Sequence, residues 1–303
     1  VHTFATDPER GVFILGLFIV VIGGALVLYA VRAPMLKGGG LFAPVSREGA
    51  LVLNNLLLAT ATAVVFLGTL YPLALDAVGG GKVSVGAPFF NATFVPLMVP
   101  LLIACPVGAM MAWKRGDLPG VVGRLKVAVG LAVLVALATV MIDGNTDIVA
   151  ALAMGVAAWL VAGAAVDLAE RTGLFRISLS ETLRRAANLP RSAWGTAIAH
   201  SALGIMVAGI TASSSWQTER IQIVQPGDTA IHTTPLADVY VVLGDPDGKG
   251  GWATRMYHNP LVPWIWAGAI FMAIGGMVSL SDRRLRVGAP KRAARKTPAA
   301  EAA

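Results

Sequence analysis

Charge is scarce in this chain. Asp, Glu, Lys and Arg make up 14% of its 303 residues, where a soluble domain carries about 25%, so an ordinary soluble enzyme is excluded. Cysteine is nearly absent: with Cys105 alone there can be no internal disulfide and no CxxC redox or zinc site. Histidine is limited to four residues. A nucleotide-binding glycine loop, a catalytic triad and a pair of intramembrane acids suited to a proton path are all missing. The start carries no basic leader, because Asp7 and Glu9 stand where a signal peptide would place Lys or Arg. The first residue is Val1, so a cut or processed end and a missing N-terminal part are expected.

What is present is apolar: 56% of the residues are hydrophobic, gathered in blocks of the roughly 20 residues that cross a bilayer. Seven such stretches are read at 11–31, 50–73, 92–113, 121–141, 147–166, 193–211 and 261–280. The third holds Pro96, Pro100 and Pro106, which membrane helices tolerate where neighbours satisfy the freed backbone groups. The fourth and fifth, joined by Asp143-Gly-Asn-Thr-Asp147, should form an antiparallel hairpin. The fold expected is an all-α polytopic membrane protein of about seven transmembrane helices with a small outer β element. Helices one to six and their loops occupy 1–211, a β-rich segment 212–260, the last helix 261–281, and a basic disordered tail 282–303. Strands are expected at Arg220-Ile-Gln-Ile-Val and on either side of the turn Asp245-Pro-Asp-Gly-Lys-Gly.

With residues 1–10 outside and one crossing per span, nineteen of the 24 Lys and Arg fall inside and five outside. This is the positive-inside pattern. It places residues 212–260 outside and the C-terminus in the cytoplasm. It also accounts for the net charge of +7 without nucleic acid as a partner.

A polar side chain within a span is costly and is therefore a functional candidate. His200 lies inside the sixth stretch, two turns from its inner end. The residues on its face within two turns are Thr196, Ala197, Gly204 and Ala208. Two readings stand. The small residues leave a flat slot for a porphyrin edge with the imidazole as iron ligand, or the histidine makes an interhelical hydrogen bond within small-xxx-small packing. No second histidine lies in another span, so a bis-histidine site needs a partner from elsewhere. His2, His232 and His258 read as outer surface histidines, Asn54 and Asn55 as interhelical hydrogen-bonding or interface residues, and Cys105 as a small buried hydrophobe.

Several strings together resemble cytochrome c maturation protein F, the CcmF family. They are Val1-His-Thr-Phe-Ala-Thr-Asp-Pro-Glu-Arg-Gly, Ser46-Arg-Glu-Gly-Ala-Leu-Val-Leu-Asn-Asn, Gly68-Thr-Leu-Tyr-Pro, Val85-Gly-Ala-Pro-Phe-Phe-Asn, Pro260-Leu-Val-Pro-Trp-Ile-Trp and Leu280-Ser-Asp-Arg-Arg. The likeness runs from residue 1 to about 286 and covers the C-terminal half of such a protein. The family's tryptophan-rich haem-handling segment would lie upstream of Val1.

The resemblance implies an enzyme, a cytochrome c haem lyase of the bacterial inner membrane. Such a protein receives haem from a periplasmic haem chaperone. It attaches the haem through thioether bonds to the CxxCH motif of apocytochrome c, working with the apocytochrome-presenting subunits of the maturation system. Haem is thus a substrate, and a permanent haem b in the membrane is the reductant, with quinol as a further partner beside membrane lipid. By the same resemblance His2 matches an outer histidine that is an axial ligand to the incoming haem, the catalytic position. His200, in Ala197-Ile-Ala-His-Ser-Ala-Leu-Gly, matches a membrane histidine that is an axial ligand of haem b. Their partners would belong to the missing half. The outer segment between Asp228 and His232 is shorter than the family pattern implies. The competing readings are a b-haem, quinol-oxidising electron-transfer subunit without lyase activity, a transporter, and a structural assembly subunit.

Overall fold

The computed structural model describes residues 13, 16–17, 19–35, 40–77, 83, 85–143, 147–224, 232–246, 248 and 252–282. The chain divides into two compact units, Val1–Phe42 and Ala43–Ala303. In the first, a π-helical turn at Ile19–Gly23 leads into helix α1 (Gly24–Arg32) and a 3₁₀ turn at Ala33–Met35. This apolar helix, Ile19–Met35, is shorter than a span requires, and the stretch predicted at 11–31 lies partly outside the described residues.

The second unit contains the long helices α2 (Arg47–Ala77), α3 (Ala87–Met110), α6 (Ile148–Thr172), α8 (Arg191–Ser215) and α9 (Val262–Leu280). Among the described residues, these are the five helices long and apolar enough to cross a bilayer. Two shorter helices, α4 (Leu118–Arg124) and α5 (Lys126–Asp143), bend by 57° at Leu125 and make a sixth if taken as one broken span. The protein is a multi-pass, mainly helical membrane protein, and the described residues hold five or six spans rather than the seven expected.

The bend corrects the straight fourth span expected at 121–141. Asp117 caps α4, its carboxylate accepting from the Gly120 amide at 3.1 Å. Val121 and Leu125 are then completely buried beneath Met111, Trp159 and Val166. Hydropathy sees one apolar run, whereas packing pulls its first two turns sideways under the end of α3. The α5–α6 hairpin forms as expected from its short acidic connection, with Asp147 capping α6 through the Val149 and Ala150 amides, both at 3.1 Å.

Polar residues within the long helices satisfy themselves locally. The hydroxyls of Thr60, Thr62, Thr69 and Thr93 donate to carbonyls one turn back at 2.7–2.9 Å, which removes the cost of an unpaired donor in lipid. The proline-rich α3 is held by α6: the Pro106 ring lies where a β-carbon on Gly163 would fall, and the Trp159 indole donates to the Ile103 carbonyl at 3.1 Å.

Glycine controls how closely the other helices approach. A β-carbon on Gly195 of α8 would sit 2.5 Å from the Gly275 carbonyl oxygen of α9, and one on Gly275 would sit 2.7 Å from the Ala199 amide nitrogen. Gly209 and Gly268 repeat the contact further along the same pair, against Ile265 and Met206 respectively. Without a hydrophobic drive between helices in lipid, backbone contact of this kind supplies the association.

Four strands complete the unit: β1 (Thr218–Val224), β2 (His232–Thr234), β3 (Ala237–Pro246) and β4 (Trp252–Pro260). They pair antiparallel in the order β1-β4-β3-β2. The expected hairpin is β3–β4, with an irregular register between Leu243 and Pro246. The sheet emerges from the end of α8 and leads directly into α9, so it caps one end of this helix pair. The Trp264 indole of α9 ties the two together by donating to the Pro235 carbonyl at 3.1 Å. The predicted tail from residue 283 onward lies outside the described residues.

Gly275→Leu should force α8 and α9 apart and cost about 1–3 kcal/mol, read as a lowered Tm in detergent. Gly276→Leu, where a β-carbon meets nothing within 4 Å, should leave Tm nearly unchanged.

Candidate functional site

Helix α8 carries His200 nine residues from its first residue, about 13 Å along the axis at 1.5 Å per residue. The start of the helix is fixed from a distant part of the chain. The carboxylate of Asp282, just past α9, accepts from both the Ser192 amide at 3.1 Å and the Ser192 hydroxyl at 3.0 Å. This cap explains the aspartate of the Leu280-Ser-Asp-Arg-Arg string. It sets the depth of α8, and therefore of the histidine.

The two readings of the His200 surroundings separate in the structure. Gly204 is not an open slot: a β-carbon there would lie 2.7 Å from the Ala157 carbonyl oxygen and 3.1 Å from the Leu160 β-carbon, so α6 fills the notch. Ala197 and Ala208 are likewise buried. The small residues serve helix packing, and the expectation that they form a porphyrin slot is corrected. The histidine, however, is not part of a packing hydrogen bond. Half-buried, its imidazole makes no hydrogen bond among the described residues. It faces a different space, together with Thr196.

That space is a cavity of about 340 Å³ enclosed by α2, α3 and α8, at the lower end of the roughly 300–1,000 Å³ of ligand clefts. Helix α2 contributes Arg47, Leu53, Asn54 and Leu57, and α3 contributes Leu101, Cys105 and Gly108. Cys105, expected to be a small buried hydrophobe, is a half-buried part of the wall. Of the two roles expected for Asn54 and Asn55, an interhelical hydrogen bond is not found among the described residues. The Asn54 side-chain amide donates to its neighbour Asn55 at 3.3 Å, and only Asn54 reaches the cavity. Arg47 and Asp167 are the charged groups close enough to act on the imidazole, and Asp167 is paired with Arg171 at 2.8 Å.

His2 lies outside the described residues, so the structure does not relate it to His200. His258 is exposed on β4 and pairs in register with Val239. His232 begins β2 and also stands opposite Val239.

No family model matches the chain. The chain is 46% identical, over 96% of its length, to the cytochrome c-type biogenesis protein CycK of Bradyrhizobium diazoefficiens. It is 34% identical over 95% of its length to the cytochrome c-type biogenesis protein CcmF of Pseudomonas aeruginosa. The corresponding figures for CcmF of Escherichia coli are 31% and 94%. The chain belongs, as a partial member, to the CcmF family. It spans about half the length of these curated relatives, covering 53%, 52% and 52% of them. A solved cytochrome c haem lyase CcmF shares the fold, with TM-score 0.56 and 24% identity over 90% of this chain and 50% of that one.

The alignments with the Bradyrhizobium and Escherichia proteins run over 349 and 345 positions, more than the 303 residues here. These CcmF relatives therefore carry residues within the matched span that this chain lacks. Sequence reasoning singled out His200 but missed two residues of its setting, Arg47 and Asp282. The signal for Arg47 was its place at the start of an apolar span, at the same end of the bundle as the start of α8.

Asp282→Ala should remove the α8 cap and cost about 0.5–2 kcal/mol, measured as a fall in Tm. Asp282→Asn, which keeps an accepting oxygen, should recover much of the loss.

Proposed function

We propose that the protein is the C-terminal part of a cytochrome c haem lyase, in which His200 would hold the iron of a resident b-type haem. The observation that carries the reading is the imidazole itself. Among the described residues His200 is the one histidine within a long apolar helix, it has no hydrogen-bond partner, and it opens onto the α2–α3–α8 cavity. In a membrane, a polar side chain left without a protein partner points to a ligand. Membership of a family of cytochrome c biogenesis proteins supports haem as that ligand.

The residues present suit haem. The cavity offers an imidazole for iron, the Leu53, Leu57 and Leu101 side chains for an apolar macrocycle, and Arg47 for anionic groups. Bound there, a b-type haem supplies one-electron reducing chemistry, for which quinol is the electron source. The chain's own contribution is to hold the ligand nitrogen at a set depth through the Asp282 cap and the α8–α9 contact. Its apolar helices also keep water from the ligand.

The lyase reaction joins the vinyl groups of a second, incoming haem to the two thiols of CxxCH in apocytochrome c. Each thiol S–H adds across a vinyl double bond, so the substrate supplies the sulfur and Cys105 is not required. The catalytic contribution is placement of haem against the cysteine pair. His2 is the proposed axial ligand that holds the incoming haem, delivered by a periplasmic haem chaperone, while apocytochrome-presenting subunits deliver the other substrate. The excess of Lys and Arg in the loops opposite the sheet supports an inner-membrane orientation with β1–β4 and His2 in the periplasm and the C-terminus in the cytoplasm.

His200→Ala should abolish the b-type α-band in a reduced-minus-oxidised spectrum of the full-length protein while leaving it inserted. An unchanged spectrum sinks the ligand assignment. His2→Ala should retain the b-type spectrum yet stop maturation of a reporter cytochrome c; normal maturation would remove His2 from the mechanism and favour an electron-transfer subunit without lyase activity.

A further inference from the structure

We infer that Arg47 is the anion anchor of the His200 cavity and holds a haem propionate through its guanidinium. The inference rests on the haem reading of His200 above.

In the Ser46-Arg-Glu-Gly string that opens α2, three side-chain positions serve local structure and the Arg47 side chain is left over. Ser46 is completely buried, and its hydroxyl caps the helix by accepting from the Gly49 amide at 3.0 Å. The Glu48 carboxylate accepts from the Lys114 amide at 2.7 Å and pairs with the Lys114 ammonium at 3.7 Å. That bond secures a residue in the left-handed region, with φ of 67°. Gly49 packs against the Pro44 carbonyl where no β-carbon fits. The Glu48 contacts lash the start of α2 to the loop between α3 and α4, while Ser46 and Gly49 shape the entry into the helix.

Arg47 joins the lashing through its backbone alone, its amide donating to the Ala112 carbonyl at 2.9 Å. Its side chain makes no hydrogen bond or ion pair among the described residues. It lies over the Trp113 ring, 5.1 Å from the centroid. This cation–π contact supplies no hydrogen-bond acceptor oxygen and leaves the N–H donors of the guanidinium unfilled. Among the described residues, Glu48, its chain neighbour, is paired with Lys114, and Asp167, the other charged group acting on His200, is paired with Arg171.

Among the described residues, the cavity lining thus holds a cation with no carboxylate beside it and an imidazole with no hydrogen bond. A neutral hydrocarbon or quinone ring would leave that charge unmatched. A macrocycle with a metal at its centre and carboxylates at its rim answers both groups at once, and a guanidinium edge binds a carboxylate through two parallel N–H bonds. Arg47 is therefore a positioning residue that directs the propionate edge toward the end of the bundle where α2 and α8 begin.

The test compares haem with haem dimethyl ester, whose propionates are neutral. Both are titrated into apo full-length protein in detergent, as wild type, Arg47→Gln and Arg47→Lys. Arg47→Gln should weaken haem binding roughly tenfold or more, leave ester binding at the wild-type level, and lower the midpoint potential of the bound haem by removing a nearby positive charge. Arg47→Lys should fall between the two. Unchanged ester binding also demonstrates that the variant is folded. Equal weakening for haem and ester would assign Arg47 a purely structural role at Trp113 and overturn the inference, as would full retention of haem by Arg47→Gln. Wild-type protein that binds neither compound would instead overturn the haem reading itself, and the inference with it.

Discussion

The backbone contact between α8 and α9 governs the rest of this structure. At Gly195 and Gly275 the two helices approach so closely that neither position accommodates a β-carbon. Lipid chains are as apolar as leucine side chains, so burying leucine gains little here. Dispersion between close backbones and small side chains is the force that remains. One consequence is that α8 is packed on two sides, by α9 through Gly195 and Gly209 and by α6 through Gly204. Its remaining side, at Thr196 and His200, faces open space.

That open space has its own cause. Helix α2 pairs with α3 through Gly68 against Phe89 and Phe90 at one end, and through Ala50 beside Gly108 at the other. Helix α3 in turn leans on α6 through Pro106 and Gly163. With α3 drawn toward α6, and α2 drawn along α3, the interval between α2 and α8 is left open. Tight packing elsewhere is what leaves the cavity beside the histidine. The aspartate just past α9 reaches back to cap α8, so the depth of the histidine and the closure of the last two helices depend on the same short segment.

Much of this was legible from composition and pattern. The apolar blocks at Arg47–Pro72, Ile148–Thr172, Arg191–Ser215 and Val262–Leu280 declare themselves because a bilayer demands about 20 consecutive apolar residues whatever their neighbours. The β3–β4 hairpin was readable from alternating residues around a Pro-Asp-Gly turn, which is local chemistry. The bend at Leu125 was not, because Val121 and Leu125 are apolar in either geometry and only their burial under Met111 and Trp159 decides the direction. The role of the small residues around His200 was ambiguous for the same reason: a glycine marks close approach without saying what approaches.

Sequence alone therefore determined the membrane character, the hairpins, the family resemblance and the identity of the one histidine set within a described apolar helix. Each depends on residue type or on neighbours a few positions away. The tertiary structure decided which face of α8 is filled and which is open, that Cys105 and Asn54 line the cavity, that Asp282 caps a helix 90 residues earlier, and that Arg47 shares a space with His200. Those facts depend on where helices far apart in the chain come to rest. In a bilayer that is set by the shape and closeness of the contact surfaces, a property that no hydropathy pattern records.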